Sequence, residues 1–239
     1  MSLKKTAALL CSIFFVNTSF GMHGEKVEPT LIPGLEVIYS LMGRGKTESL
    51  ILAGKKAKKE DKNVLSVFHH FELGRQEEKE EKGFYSYNGK FLKASSVKSG
   101  KEILEKFEAL KKKGKKPDLV LADEGQFFMD DETLLPAIKT MTSQNATVKI
   151  AGLLHTFLKK GFGPMPELVK KAEFVYELPM GKCVVCKTKD AKWMQRIIIE
   201  KNENENNIKK PASRKDPIIL VGKEDCYERR CDKCHIILD

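Results

Sequence analysis

The sequence predicts an α/β fold in which a parallel β-sheet is flanked by helices and a small C-terminal domain is attached. Three observations favour this class. Short apolar runs alternate with helix-like stretches along most of the 239 residues, as is typical of strands joined by helical crossovers. A glycine-containing segment joins the first apolar run to the first helix. Two Cys-x-x-Cys pairs near the C-terminus indicate a separate metal-stabilised unit.

The apolar runs predict the strands of the sheet. They lie at 35–39, 64–68, 118–122, 147–151 and 174–178. Between them, residues 99–114 place their apolar side chains on one helical stripe and lysines and glutamates on the opposite side. That stripe is expected to pack in the core.

Composition divides the chain into three regions. Residues 1–21 have the features of a signal peptide, 22–178 form the predicted α/β domain, and 179–239 form the domain that contains the cysteine pairs. Within the last region, about 200–216 is rich in Asn, Glu and Lys and ends near two prolines. We predict a flexible excursion there.

The first 21 residues predict export. Lysines precede an apolar stretch at 6–16, and Ser19 and Gly21 offer the small residues that a signal peptidase recognises. The stretch is too short to span a bilayer stably, so no stable membrane insertion is expected. If translation began at Met22 instead, the protein would be cytoplasmic.

The hydrophobic fraction of 41% and the interspersed charges exclude wholesale disorder, and the net charge is +10. The lysines are dispersed in runs that are typical of solvated helix faces. Such runs also attract polyphosphates, so a nucleic-acid role stays open on charge alone. Aromatic residues do not interleave with the basic runs, and nucleic acid is therefore not the expected partner.

Residues 40–47, Ser-Leu-Met-Gly-Arg-Gly-Lys-Thr, predict a phosphate-binding loop (P-loop) between the first strand and the first helix. Backbone N–H groups of such a loop surround the phosphates of ATP, Lys46 reaches the β and γ oxygens, and Thr47 ligates Mg²⁺. Ser40 replaces the glycine of the usual pattern, and its Cβ is expected to crowd the phosphates or to require a positive φ. The alternative is an ordinary glycine-containing turn.

The run 118–122 is followed by Asp123 and Glu124. A carboxylate at the tip of a strand beside the P-loop strand is the expected second Mg²⁺ ligand, and Asp123 has this position. Glu124 is expected to point the other way, where it can accept a proton from a nucleophile. The pair leaves a kinase and an ATPase both open, because the same glutamate would polarise water in an ATPase.

Four cysteines predict a tetrahedral Zn²⁺ site. They are Cys183, Cys186, Cys231 and Cys234. Residues 187–230 separate the two pairs by more than a zinc ribbon requires, so a loop is expected to extend from the site. Two disulfides are the alternative, because export is predicted. Cys226 is left over as a free thiol.

The motifs together resemble the type II thymidine kinases, the zinc-containing P-loop family, over about residues 35–235. The segments that carry the resemblance are 41–47, 123–128, 151–157, 161–163, 183–186, 221–222, Tyr227 and 231–234. This resemblance implies a P-loop NTPase-like sheet, ATP with Mg²⁺, a structural Zn²⁺ and phosphorylation of the 5′-hydroxyl of thymidine. It also implies a homo-oligomer, commonly a tetramer.

The resemblance further implies a role for each matched residue. Glu124 is the catalytic base, Thr47 and Asp123 hold Mg²⁺, and the four cysteines anchor a lid over the nucleoside. The residues implied in ATP binding are Ser40, Leu41, Met42, Gly43, Arg44, Gly45, Lys46, Thr47, Asp123 and Gln126. Those implied in nucleoside binding are Phe127, Phe157, Ile218, Ile219, Leu220, Val221, Gly222 and Tyr227.

Departures from the family pattern support a second hypothesis. Besides Ser40, the family's Asp-x-Arg after the second strand is absent, Leu154 replaces a carboxylate, and Met194 stands where a threonine faces the thymine methyl group. Together with the predicted export, since ATP is scarce outside the cytosol, they favour a degenerate homologue that binds nucleotide with little or no turnover. A zinc-ribbon nucleic-acid binder is a third hypothesis, which leaves the P-loop unexplained.

Overall fold

The computed structural model describes residues 31–201, 207–220 and 226–239. Its strands are β1 (Gly34–Tyr39), β2 (Val64–His69), β3 (Gly83–Tyr85), β4 (Phe91–Lys93), β5 (Ser95–Val97), β6 (Leu119–Asp123), β7 (Thr147–Gly152), β8 (Phe174–Glu177), β9 (Trp193–Lys201), β10 (Asn207–Pro211) and β11 (Tyr227–Arg230). Its α-helices are α1 (Lys46–Lys59), α2 (Gly100–Lys112), α3 (Leu134–Ser143) and α4 (Met165–Lys171). Short 3₁₀ helices occupy His70–Gln76 and Gly125–Phe127.

The central sheet has six parallel strands in the order β5-β2-β6-β7-β1-β8. The five predicted strands are present as β1, β2, β6, β7 and β8. The predicted fold class, a P-loop NTPase-like parallel sheet flanked by helices, is confirmed. One expectation about its order is wrong, because β7 lies between the P-loop strand β1 and the strand β6 that ends in Asp123.

Two apolar layers cover the faces of the sheet. On one face α2, α3 and α4 pack against the strands through a cluster that includes Phe107, Met141 and Leu168. On the other face α1 and the β3–β4 hairpin pack through Leu50 and Phe84. The interior strands β1, β2, β6 and β7 are therefore buried on both sides, which explains their continuous apolar runs in the sequence, whereas the edge strand β8 is mostly exposed.

A buried ion pair crosses the α1 face of the sheet. Glu36 of β1 and Lys149 of β7 are register partners, and the Lys149 ammonium donates to the Glu36 carboxylate. The Tyr176 hydroxyl also bonds to Glu36, and burial together with this carboxylate raises the pKa of Tyr176. Both charges of the pair thus have a partner inside an otherwise apolar layer.

A second sheet of three antiparallel strands, in the order β10-β9-β11, builds the C-terminal domain. Within 200–216, for which the sequence predicts a flexible excursion, residues 207–211 form β10 and pair with β9. Its two lysines pair at the surface, where Lys209 contacts Glu228 and Lys210 contacts Glu200, and Ile208 is exposed. Composition alone therefore did not reveal this strand.

The predicted signal peptide, residues 1–21, lies outside the described residues. In the part of the chain that the structure does describe, no helix has both the length and the apolar character needed to cross a membrane.

The buried pair generates a stability prediction. Lys149→Met should lower the free energy of unfolding by about 3–5 kcal/mol, because it leaves the Glu36 carboxylate buried without its cation. Urea denaturation monitored by circular dichroism measures this loss. The double change Lys149→Met with Glu36→Gln should recover most of it, because the glutamine is neutral and still accepts from Tyr176.

Lys171→Met is the matched control. Lys171 pairs with Glu167 on the exposed surface of α4, and exposed pairs contribute about 0–1 kcal/mol. If Lys149→Met lowered the free energy of unfolding as little as this control does, the buried ion pair would not stabilise the fold.

Candidate functional site

The P-loop connects the end of β1 to the start of α1. It turns through Gly43 and Gly45, whose φ angles of 66° and 87° lie in the left-handed region that glycine adopts freely. Ser40 does not adopt the positive φ that was one of its two expected consequences, because its backbone lies outside that region. The Ser40 hydroxyl donates to the carbonyl oxygen of Leu178 at 3.0 Å, so this serine ties the loop to the segment that follows β8.

Lys46, the first residue of α1, is buried and donates from Nζ to the carbonyl oxygen of Leu41 at 2.9 Å. Burial lowers the pKa of Lys46, whereas the charges of Glu124 and Asp123 act in the opposite direction. The ammonium therefore lies at the centre of a small charged cluster, at the position where a P-loop lysine meets phosphate oxygens.

Asp123 is 6% exposed at the end of β6 and accepts a hydrogen bond from the Thr47 hydroxyl. Burial, followed by the nearby charge of Glu124, raises the pKa of Asp123 to about 7, while the bonds from Thr47 and from the Glu124 amide oppose this rise. A buried carboxylate beside a hydroxyl is a pair of hard oxygen donors, so these two residues fit Mg²⁺. The loop thus spans the intervening β7 to bring Thr47 to Asp123.

Glu124 adopts a left-handed backbone conformation, with φ 57° and ψ 44°. This conformation costs a non-glycine residue about 1–2 kcal/mol. It ends the regular alternation of the strand. The Glu124 amide donates to Asp123 Oδ1 at 3.0 Å, and its carboxylate accepts from Gln126 Nε2 while its charge acts on both Asp123 and Lys46.

A cavity of about 860 Å³ opens above this cluster and brings most of the predicted site residues together. Those in its lining are Met42, Gly43, Arg44, Gly45, Lys46, Thr47, Glu124, Gln126, Phe127, Phe157, Ile218, Ile219, Leu220 and Tyr227. Ser40 and Leu41 line a neighbouring cavity of about 260 Å³, and Asp123 is not among the residues that line either cavity. Val221 and Gly222 lie outside the described residues.

The β3–β4 hairpin also lines the cavity, and its residues were not predicted to belong to the site. Tyr85, Tyr87 and Asn88 face the P-loop across the cavity, and Tyr87 is 98% exposed. The hairpin is tied to the first turn of α1, because Asn88 Nδ2 donates to Glu48 at 3.2 Å and Lys90 pairs with the same carboxylate. The Asn-Gly dipeptide at 88–89 is the hairpin signal that could have revealed this element.

The C-terminal domain packs directly on the P-loop. Arg44 Nε donates to the carbonyl oxygen of Pro179 at 2.8 Å. An apolar cluster joins Leu41 of the loop to Ala191 and Met194, with Met42, Met180 and Tyr227 packed around it. The phosphate-binding loop therefore has its outer wall in the last quarter of the chain.

The four predicted zinc ligands converge. Their Sγ atoms all lie within 4.8 Å of one another. The Sγ atoms of Cys186 and Cys231 are 3.8 Å apart, which matches the sulfur–sulfur edge of about 3.8 Å that four Zn–S bonds of about 2.3 Å produce in a tetrahedron. The described cysteines, including Cys226, are free thiols, so the geometry fits zinc better than two disulfides.

The protein environment shifts the pKa values of two of these thiols in opposite directions. The Lys189 backbone N–H, with the Thr188 hydroxyl next, lowers the pKa of Cys186 to about 5. Sharing a proton with Cys231 and burial raise the pKa of Cys234 to about 12. Cys186 therefore ionises easily, whereas Cys234 keeps its proton. A divalent cation bound to such a cluster stabilises the form in which all thiols are ionised.

Comparison with known proteins gives two findings. A family model described as thymidine kinase matches residues 34–235. Among solved structures, a DNA replication initiation factor shares 18% identity over 61% of this chain and 40% of that chain, with a TM-score of 0.36. Replication initiator DnaA bound to AMPPCP and single-stranded DNA shares 20% identity over 62% of this chain and 41% of that chain, with a TM-score of 0.37.

AMPPCP-bound DnaA from Aquifex aeolicus shares 20% identity, with a TM-score of 0.34. This match covers 60% of this chain and 39% of that chain.

The cysteine cluster predicts one bound zinc per chain. Cys231→Ser should lose that zinc and lower the melting temperature, because the metal joins the two roots of the C-terminal domain. Elemental analysis of the purified protein and thermal melting measure both effects. Cys226→Ser is the control, since Cys226 lies outside the cluster, and it should keep the zinc. Equal zinc content in both variants would contradict the site.

Proposed function

The chain belongs to the thymidine kinase family, and from this we propose that it transfers the γ-phosphate of ATP to the 5′-hydroxyl of thymidine. The observation that carries the proposal is the position of Glu124, which lies beside the P-loop lysine Lys46 in a cavity whose other end is aromatic. One carboxylate can therefore reach both an acceptor hydroxyl and the transferred phosphoryl group. By the same membership we propose a homo-oligomer, whose size sedimentation would measure.

In this proposal ATP places its phosphates in the P-loop. The backbone of 43–47 surrounds them, and Lys46 exchanges its bond to the Leu41 carbonyl for phosphate oxygens. Thr47 and Asp123 would hold the Mg²⁺ ion, which supplies positive charge against the charge of the phosphates.

The nucleoside occupies the aromatic end of the cavity. Phe127, Phe157 and Phe162 line it, with Tyr227 and the 218–220 segment as further walls. The rings of Phe127 and Phe162 meet edge to face at 6.1 Å between centroids, which gives a rigid apolar surface for a flat base. The segment 218–222 supplies backbone hydrogen bonds to the base in this proposal.

Glu124 acts as the general base. It takes the proton of the 5′-hydroxyl as this oxygen attacks the γ-phosphorus, and ADP leaves. The C-terminal domain, 179–239, closes over the acceptor and excludes water, which would otherwise compete for the phosphoryl group. The α/β domain, 22–178, holds the donor.

The departures from the family pattern leave this cluster intact. Ser40 bonds to Leu178 and is not strained. Leu154 packs against the main apolar core and lines the smaller cavity, so it lies apart from the charged residues. Met194 does line the large cavity, and the choice among nucleosides is the property that it would alter.

The adenine base of ATP also needs a binding surface in the cavity. With the acceptor at the aromatic end and the phosphates in the P-loop, the base of ATP lies at the remaining end, against the β3–β4 hairpin. A tyrosine that is 98% exposed and lines the cavity is a suitable platform, because aromatic side chains stack on bases. We propose that Tyr87 has this role.

The first test of the proposal is a kinase assay with ATP and thymidine. The wild-type chain should form thymidine monophosphate, and Glu124→Gln should lower kcat by about 10²–10⁴-fold with ATP binding retained, because only the proton acceptor is lost. Glu60→Gln, at the exposed end of α1, should be unchanged. If the wild-type protein phosphorylates none of the common deoxynucleosides, the proposal is wrong.

The second test separates the base of ATP from its phosphates. Tyr87→Ala should weaken ATP binding about 5- to 150-fold, equivalent to about 1–3 kcal/mol of stacking, and leave inorganic tripolyphosphate binding unchanged. Tyr87→Phe should bind ATP like the wild type. Isothermal calorimetry measures the affinities of the wild type and of both variants for ATP and for tripolyphosphate. Phe174→Ala on the edge strand β8 is the control. Equal losses for ATP and tripolyphosphate would exclude stacking.

A further inference from the structure

We propose that Gln126 is a positioning residue that holds the catalytic base Glu124 in place for proton transfer, an inference that rests on the proposed function. The family resemblance implied ATP binding for Gln126. In the structure, however, both ends of its side-chain amide are already engaged by protein groups.

The hydrogen bonds of Gln126 fix its orientation. Its Nε2 donates to Glu124 Oε2, and its Oε1 accepts from the backbone N–H of Leu153 at 2.9 Å. The opposite orientation of the amide would place a donor against the Leu153 N–H and an acceptor against a carboxylate. Only one orientation therefore satisfies both neighbours.

The amide has no room to move. Gln126 is fully buried, and a Cβ at Gly152 would lie 2.7 Å from its Oε1. A Cβ at Gly163 would collide with the main-chain carbonyl of Gln126. Glycines on two neighbouring segments thus allow the close approach that keeps this side chain in one position.

Glu124 needs such a support because of its own backbone. Its left-handed conformation takes the carboxylate out of the regular strand geometry, next to Asp123 and Lys46. In this cluster Asp123 repels the Glu124 carboxylate and Lys46 attracts it. An uncharged donor on a rigid side chain fixes one carboxylate oxygen without adding a second cation.

Gln126 also links the base to the acceptor end of the cavity. Leu153, whose N–H bonds to Gln126, lines the cavity together with Phe127 and Phe162. One amide therefore sets the distance between the proton acceptor and a wall of the nucleoside site. Small displacements matter here, since about 1 Å of misplacement can lower a rate about 10²-fold.

The test compares substitutions that break different bonds. Gln126→Glu keeps an acceptor for Leu153 N–H but places a carboxylate against Glu124, whereas Gln126→Met keeps the volume and removes both bonds. With ATP and thymidine, both variants should lower kcat roughly 10- to 100-fold, with KM for each substrate within about twofold of the wild type. Steady-state kinetics measures the split, and thermal melting shows that the variants are folded.

The chain provides a matched control. Gln144 Nε2 donates to Glu108 Oε1 at 2.9 Å on the surface, which is the same pairing away from the site. Gln144→Glu and Gln144→Met should therefore keep kcat within about twofold of the wild type. If the buried charge of Gln126→Glu prevented folding, Gln126→Met would still carry the test of kcat against KM.

The outcomes separate this inference from the proposed function. A wild-type protein without nucleoside kinase activity overturns both. An active wild type with Gln126→Glu and Gln126→Met within threefold of its kcat overturns the positioning role alone. If either variant raises the KM for ATP at unchanged kcat, Gln126 acts in ATP binding and the positioning role is wrong. If kcat falls in Gln126→Met but not in Gln126→Glu, the effect comes from the bond to Leu153 and not from the bond to Glu124.

Discussion

The site depends on keeping one ammonium and two carboxylates close together in a largely buried position. Lys46 begins the helix that follows β1, whereas Asp123 and Glu124 lie at the end of β6, and these two strands are not neighbours in the sheet. Burial lowers the pKa of Lys46 against the attraction of the two carboxylates, and burial together with the charge of Glu124 raises the pKa of Asp123. The cluster is thus suited to a ligand that brings its own charges, as a metal-bound polyphosphate does.

The surrounding structure supports this cluster from two sides. Below it, the parallel strands are buried on both faces and hold their C-terminal ends at fixed spacing. Above it, the C-terminal region contacts the P-loop through Arg44, and Ser40 ties the loop to Leu178 just before that region. The four clustered cysteines lie in the same part of the chain as Pro179 and Met194, so a metal held there would act on the P-loop only through packing.

Much of the fold was predictable because hydrophobic runs and motif spacing report burial. The strands, the P-loop and the cysteine cluster are all of this kind. The order of the strands was not predictable, since no local pattern shows that β7 separates β1 from β6. Nor could the sequence show that the side-chain amide of Gln126 bonds to both Glu124 and the Leu153 N–H. These contacts depend on the left-handed conformation of Glu124 at the end of β6. The polar strand β10 was missed because pairing at a surface leaves no apolar signature.

The contacts from Arg44 to Pro179 and from Ser40 to Leu178 join residues 135 and 138 positions apart. During synthesis the P-loop consequently leaves the ribosome long before its outer wall exists. At about 5–20 residues per second this delay is on the order of ten seconds. A nascent chain cannot form these two contacts during that interval, so the P-loop gains its outer wall only after residues 178 and 179 have been synthesised.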